Sequence, residues 1–94
     1  MNSFLAKNYN RRKIAFKRGK GSFLYATNGK KYLDFVQGIA VNSLGHANPH
    51  LIRAISNQSK KIWHVSNSFL IPEGEKLAQR LTKKTFADSV IFQN

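Results

Sequence analysis

Apolar and polar positions along this 94-residue chain fall into three kinds of pattern. The first is a pair of short mixed runs around a turn dipeptide. Residues 22–26 (Ser-Phe-Leu-Tyr-Ala) predict a strand, residues 27–30 (Thr-Asn-Gly-Lys) a tight turn, and residues 31–35 (Lys-Tyr-Leu-Asp-Phe) the returning strand. Asn28-Gly29 supplies the positive φ angles that a two-residue hairpin turn requires. The second pattern has helical spacing. Leu51, Ile52, Ile55 and Ile62 recur on one face with Ala54 alongside, while Arg53, Gln58 and Lys61 face away. Asn48 is placed to cap the free N–H groups of this helix and Pro49 suits its first turn. Lys60 and Lys61 sit near its C-terminal end, where cations complement the dipole. A second helix is predicted over residues 73–85, with Leu77, Ala78 and Leu81 as its apolar stripe. Glu73 and Glu75 lie in its first turn and Lys83 and Lys84 in its last, the favourable polarity at both ends. The third pattern is the unalternating run Val90-Ile91-Phe92, which predicts a strand covered on both faces, as in a parallel sheet.

The remaining stretches read as connections. Residues 1–18 form a polar, basic arm with Phe4, Leu5 and Tyr9 as anchors, and Gly19-Lys20-Gly21 reads as a turn. Residues 38–47 carry two glycines and a histidine without a clean period, and predict a structured loop. Residues 63–72 are again irregular. Hairpin, helix, helix and buried strand in this order imply an α/β fold. They also imply an incomplete one, because a doubly covered strand has no parallel neighbour within the chain. Uncovered helix faces and the 90–92 run predict association and poor solubility of the chain by itself.

Composition narrows the class. A hydrophobic share of 41% fits one small globular unit rather than disorder. There is no cysteine, which removes disulfides and cysteine-based metal sites or nucleophiles. No stretch approaches the roughly 20 apolar residues that span a bilayer. The short Phe4-Leu5-Ala6 run followed by Lys7 and Arg11 is no secretory signal, and the segment lacks the serines of an organelle transit peptide, so a cytoplasmic location is expected. Sixteen Lys and Arg against four Asp and Glu give a net charge of +12. That field attracts polyanions, but the cations are spread from Lys7 to Lys84 rather than gathered on one predicted element. A solvated basic surface is favoured over nucleic-acid binding.

Few residues suggest chemistry by themselves. Gly19-x-Gly21 lacks a third glycine and leads into a strand, so it reads as a turn rather than a phosphate loop. His46 and His50 are four residues apart, but Pro49 starts a helix between them and no metal is expected. His46 is expected to hydrogen-bond the loop after Gly45. Asp34, at the end of a strand, reads as a cap or turn acceptor. No serine stands in a nucleophile-elbow context.

The decisive signal is a string of spaced motifs. The block Tyr32-Leu33-Asp34-Phe35-x-x-Gly38-Ile39-Ala40-Val41-Asn42-x-x-Gly45-His46-x-x-Pro49 closely resembles the N-terminal region of class III pyridoxal-phosphate aminotransferases, most of all the acetylornithine and succinylornithine branch. Arg18-Gly19-Lys20-Gly21-Ser22 fits upstream, and Trp63-His64-Val65-Ser66-Asn67-Ser68-Phe69 and Thr85-Phe86-Ala87-Asp88 fit downstream, so the resemblance covers about residues 9–94. Ala26 departs from the acidic residue usual there, Ile14-Ala15 stands where proline is common, and Phe69-Leu70-Ile71-Pro72 alters an aromatic-rich stretch.

The resemblance implies the N-terminal segment of a type I transferase fold. Residues 1–18 are the arm, 19–47 the small-domain hairpin and loop, and 48–94 the helices and first large-domain strand. It implies pyridoxal phosphate as cofactor and a homodimer in the parent enzyme. It places Ile39 and Phe69 at positions whose side chains line the substrate pocket, where the alternative is ordinary core packing. The family's cofactor-phosphate segment and Schiff-base lysine are expected beyond Asn94, and none of the 11 lysines here stands in a matching motif. No catalytic, cofactor or metal residue is therefore assigned. The chain alone is expected to bind no cofactor and to be inactive. It is expected to be a remnant, half of a split enzyme completed by a complementary C-terminal chain, or a separate small basic nucleic-acid-binding module.

Overall fold

The computed structural model describes residues 3–94, so Met1 and Asn2 of the predicted arm lie outside the described residues. The chain divides into two compact units, Met1–Asn57 and Gln58–Asn94.

The first unit is built on a three-stranded antiparallel sheet in the order β1-β2-β3, comprising β1 (Phe16–Lys20), β2 (Phe23–Ala26) and β3 (Lys31–Leu33). The predicted hairpin is β2–β3, with Leu24 opposite Tyr32. Its turn is not the expected two-residue type. Ala26 N–H donates to Lys30 O and Gly29 N–H donates to Ala26 O, leaving Thr27, Asn28 and Gly29 as a three-residue connection. Only Gly29 is left-handed there, at φ 84°. One left-handed residue after a simple turn is the three-residue solution, whereas a two-residue I′ turn needs two.

β1 is a correction to the sequence reading. It begins inside the expected arm and runs through the expected turn at residues 19–20. Its composition, Phe-Lys-Arg-Gly-Lys, carries little strand propensity, and it is held by its ladder with β2, not by an apolar pattern. Lys17 is skipped in the pairing, Phe16 lying opposite Ala26 and Arg18 opposite Tyr25, which bulges the strand at this edge. Gly21, at φ 56°, takes the first position of the two-residue β1–β2 turn, the site where such a turn wants glycine.

Alternation splits the sheet into two faces. On one, Arg18 lies over the Tyr25 ring at 3.7 Å and Lys31 over the Phe23 ring at 3.9 Å. On the other, the Phe16 and Tyr32 rings meet edge to face at 5.7 Å beside Ala26, which is 1% exposed. The N-terminal arm folds onto itself. The Arg11 guanidinium donates to Ala6 O and Asn8 Oδ1 and lies over the Tyr9 ring.

After β3 comes a four-residue helical turn, α1 (Gln37–Ala40), discussed below. Then α2 (Pro49–Ser59) starts where Asn48 predicts it. Asn48 Oδ1 accepts the N–H groups of His50 at 2.9 Å and Leu51 at 3.3 Å. The helix ends earlier than its apolar spacing suggests, so Ile62 lies beyond it and Lys60 and Lys61 are not in its last turn.

In the second unit, α3 (Pro72–Lys84) carries Glu73 and Glu75 in its first turn and Lys83 and Lys84 in its last, as expected. Trp63 Nε1–H donates to Ser59 O at 2.6 Å. Residues 90–92, expected as a strand, belong to no ladder among the described residues. A strand is defined by its partner, and an apolar run without one has nothing to bond its backbone. Neither α2 nor α3 buries a residue, so their apolar stripes, Leu51, Ile52 and Ile55 on one and Leu77 and Leu81 on the other, are exposed. Among the described residues no helix is long and apolar enough to cross a membrane.

Candidate functional site

The densest set of specific interactions surrounds Asp34, just past the end of β3. Its N–H donates to Ser22 O at 2.8 Å, extending the sheet by one bond. Its carboxylate then serves two structures at once. Oδ1 accepts the backbone N–H groups of Val36 at 3.0 Å and Gln37 at 2.9 Å. Oδ2 lies 2.6 Å from His46 Nε2, whose N–H donates to it. The Asp34 side chain is 7% exposed and that of His46 18%.

His46 is held from its other side by backbone. Gly21 N–H donates to His46 O at 2.9 Å and His46 N–H to Gly21 O at 2.8 Å, an isolated antiparallel bridge that closes the loop onto the β1–β2 turn. Two glycines make this closure possible. A Cβ on Gly19 would stand 2.5 Å from His46 Cγ, so the imidazole occupies the space a side chain would need. Gly45 is left-handed at φ 81°, and a Cβ there would meet Gly21 O at 3.0 Å. The result is a small polar cleft of about 260 Å³ lined by Ser22, Asp34, Asn42, Ser43 and His46 among others.

Between Asp34 and His46 the backbone turns the wrong way for L-residues. Gln37, Gly38, Ile39 and Ala40 all have positive φ, at 56°, 64°, 62° and 61°. Ala40 N–H donates to Val36 O and Val41 N–H to Gln37 O, so α1 is a single left-handed helical turn with its own i→i+4 bonds. Each non-glycine residue in that conformation costs about 1–2 kcal/mol, because Cβ crowds the next carbonyl. A β-branched residue such as Ile39 is the least suited to it. Ile39 stands out from this turn 87% exposed.

The Asp34 carboxyl is held below its ordinary value of 3.8, first by the Gln37 N–H and then by the His46 ring, with the Val36 N–H adding to them and partial burial opposing. A carboxyl whose folded pKa is depressed contributes its stability in full above the unfolded value and loses it as pH falls through the folded one. Amide protection across residues 36–46 is therefore expected to hold at pH values above 3.8 and to be lost on further acidification. Hydrogen exchange or amide shifts followed against pH would check this. A loop that loosens near neutral pH instead would remove Asp34 from the role.

Asp34 and His46 were read separately from the sequence, as a turn acceptor and as a partner of the loop after Gly45. The structure confirms the turn role of Asp34 but joins the two side chains to each other. Their 12-residue separation gave no periodic signal. The flanking Gly19 and Gly45 were the available clue, since glycines mark where another group must approach. His50 and His64 join no cluster, and among the described residues no group of three His, Asp or Glu is placed to hold a metal.

Phe69 lies in the second unit, 69% exposed. It borders an apolar groove with Leu70, Ile71, Ala78 and Phe92 beside the first turns of α3. Core packing is the condition of neither Ile39 nor Phe69 in this structure.

A family model described as Aminotransferase class-III matches residues 4–94, nearly the whole chain. The chain belongs to the class-III aminotransferase family. A curated relative, an acetylornithine aminotransferase of Agrobacterium fabrum, is 57% identical over 81 residues, covering 86% of this chain and 20% of the relative. Among solved structures, N-acetylornithine aminotransferase from Stenotrophomonas maltophilia is 37% identical with a TM-score of 0.73, over 80% of this chain and 21% of that one. Plasmodium falciparum ornithine delta-aminotransferase is 31% identical with a TM-score of 0.90, over 97% of this chain and 24% of that one. The chain thus spans about a fifth of the length of the curated relatives it matches. The three-stranded sheet and helices are the N-terminal part of the pyridoxal-phosphate aminotransferase fold.

Class-III aminotransferases are pyridoxal-phosphate enzymes, which sets a test for the residues present. The cofactor needs a lysine amine for its aldehyde, an anion cradle for its phosphate and an acid at its ring nitrogen. Every lysine of the chain is exposed, and none lines either cleft described above. Asp34, the acid that lines the first cleft, is committed to two amides and His46. The described residues do not by themselves fit the cofactor.

Proposed function

We propose that this chain supplies the N-terminal part of an aminotransferase that moves an amino group from an acetylornithine-like donor to a 2-oxo acid, the reaction type of arginine biosynthesis. The 57% identity to an acetylornithine aminotransferase carries this reading. In it, residues 19–47 belong to the small domain and residues 48–94 lead into the large one. The complete enzyme is a cytoplasmic homodimer. The cofactor supplies the electron sink for proton removal, and its phosphate and aldehyde are held by residues outside these 94. What this chain contributes is wall. Ile39 and Phe69 exclude water and orient the donor's carbon chain, a role their exposed side chains leave open. By itself the chain binds no cofactor and transfers no amino group.

The test is a replacement. In the Agrobacterium fabrum enzyme, the matched segment is exchanged for this chain's, and transfer from acetylornithine to a 2-oxo acid is measured. The chimera is expected to be active, and Ile39→Ala or Phe69→Ala within it to lower kcat/KM roughly 10-fold or more, the usual effect of thinning an apolar pocket wall. A folded, cofactor-loaded chimera without activity, or one indifferent to both substitutions, would overturn the proposal.

A further inference from the structure

Resting on the reading of Ile39 as a pocket wall, we propose that Asp34 is a positioning residue for the transfer reaction. Its carboxylate holds α1 left-handed, and the left-handed turn sets where Ile39 stands.

The geometry has three parts. First, α1 is unfavourable as a free element. Three of its four residues, Gln37, Ile39 and Ala40, have a Cβ and a positive φ. Its own i→i+4 bonds do not select that hand, because a right-handed turn of the same length would form equivalent bonds without the crowding. Something outside the turn must therefore choose it. Second, Asp34 Oδ1 takes the N–H groups of Val36 and Gln37, the residue before the turn and the first residue in it. These two bonds pin the start of the turn but do not choose its hand, since Asn48 Oδ1 takes the same i+2 and i+3 pair of N–H groups ahead of the right-handed α2. Third, Asp34 Oδ2 takes His46, and the His46 backbone is bridged to Gly21, so the far end of the same loop is anchored to the sheet. One carboxylate thus ties both ends of the 34–46 span, and this closure back onto Gly21 is the constraint outside the turn that selects its hand. Backbone strain of this kind persists only where the surroundings over-determine it, and it collects at functional sites. Ile39 is the large apolar side chain at the crest of this strained turn.

The isotopically labelled 94-residue chain tests the conformational half without any substrate. Scalar couplings at Ile39 report the sign of φ, and contacts between Leu24 and Tyr32 report the sheet. The wild-type chain is expected to show positive φ at Ile39. Asp34→Ala is expected to lose it while the sheet contacts persist. Asp34→Asn, which keeps an acceptor oxygen for the two amides and can donate an amide N–H to the neutral His46 ring, is expected to keep it. Negative or averaged φ in the wild-type chain would overturn the proposal, as would positive φ surviving Asp34→Ala. Loss of the sheet together with the turn would make Asp34 a general stabiliser and would equally overturn it. The catalytic half is read in the chimera by a double-mutant cycle. If Asp34 acts through Ile39, Asp34→Ala lowers kcat/KM in the wild-type background but changes it little once Ile39 is already alanine. Full additivity would overturn positioning, whereas an Ile39→Ala with no effect of its own would instead remove the pocket-wall reading and leave the conformational result standing.

Discussion

Replacing Gly45 with alanine is expected to detach the 37–47 loop from the sheet. Two costs fall on the same methyl group. At φ 81° the backbone is left-handed, which charges any residue with a Cβ about 1–2 kcal/mol. The added carbon would also lie 3.0 Å from Gly21 O and 3.2 Å from Gly21 Cα. Those are backbone atoms locked in the bridge to His46, so they cannot swing aside as a side-chain tip would. Overpacking of this kind adds roughly 1–3 kcal/mol. Together the two are on the order of 2–5 kcal/mol, so the amides of Gly21 and His46 should exchange with solvent about 30-fold faster or more. The Leu24 and Tyr32 amides, in the β2–β3 ladder, should be little affected. Unchanged exchange at Gly21 and His46 would show that the bridge does not hold the loop.

Gly19→Ala is expected to act on the same loop from the opposite side and by a different route. β1 itself accepts alanine, because Gly19 is not left-handed. The obstacle is the His46 side chain, whose Cγ, Cβ and Nδ1 lie 2.5, 2.6 and 2.9 Å from where the new carbon would be. No shift of a few tenths of an ångström relieves that. The whole side chain must move, Cβ included, so the His46 backbone shifts against its bridge to Gly21 and the 2.6 Å contact with Asp34 is lost. Two signatures follow. The His46 ring resonances move, and the Asp34 carboxyl rises toward 3.8 as it loses the second of its supports while keeping the Gln37 amide. An Asp34 titration identical to wild type would mean that the ring and the carboxylate are not coupled.

Both substitutions act at glycines, and glycines mark the limit of what the sequence made legible here. The β2–β3 hairpin, the start of α2 at Asn48-Pro49 and the whole of α3 were readable, because each depends on neighbours within a few residues. Turn dipeptides, caps and end charges are local devices. β1 was missed because its residues carry no pattern and its existence depends on the ladder to β2. The left-handed turn was missed for a related reason. Gly38 announces one positive φ, but nothing in Gln37, Ile39 or Ala40 announces three more. The 90–92 run shows the reverse failure, a strand-like pattern whose partner is not among the described residues. Family resemblance covered the gap that physics left. The motif block spans residues 32–49 and contains Asp34, Gly38, Ile39, Gly45 and His46, the residues that the structure gathers into one loop.

Handedness also governs how residue 39 can vary. Ile39 sits at φ 62° and ψ 60°, a region that glycine and asparagine enter at little cost and that valine and threonine resist. Substitutions there pass through two filters, the chirality of the backbone and whatever the side chain touches. A library built at this position to alter donor preference would be enriched for backbone tolerance before any selectivity was seen. Selectivity would have to be scored only among variants that still trace the mirror-image turn.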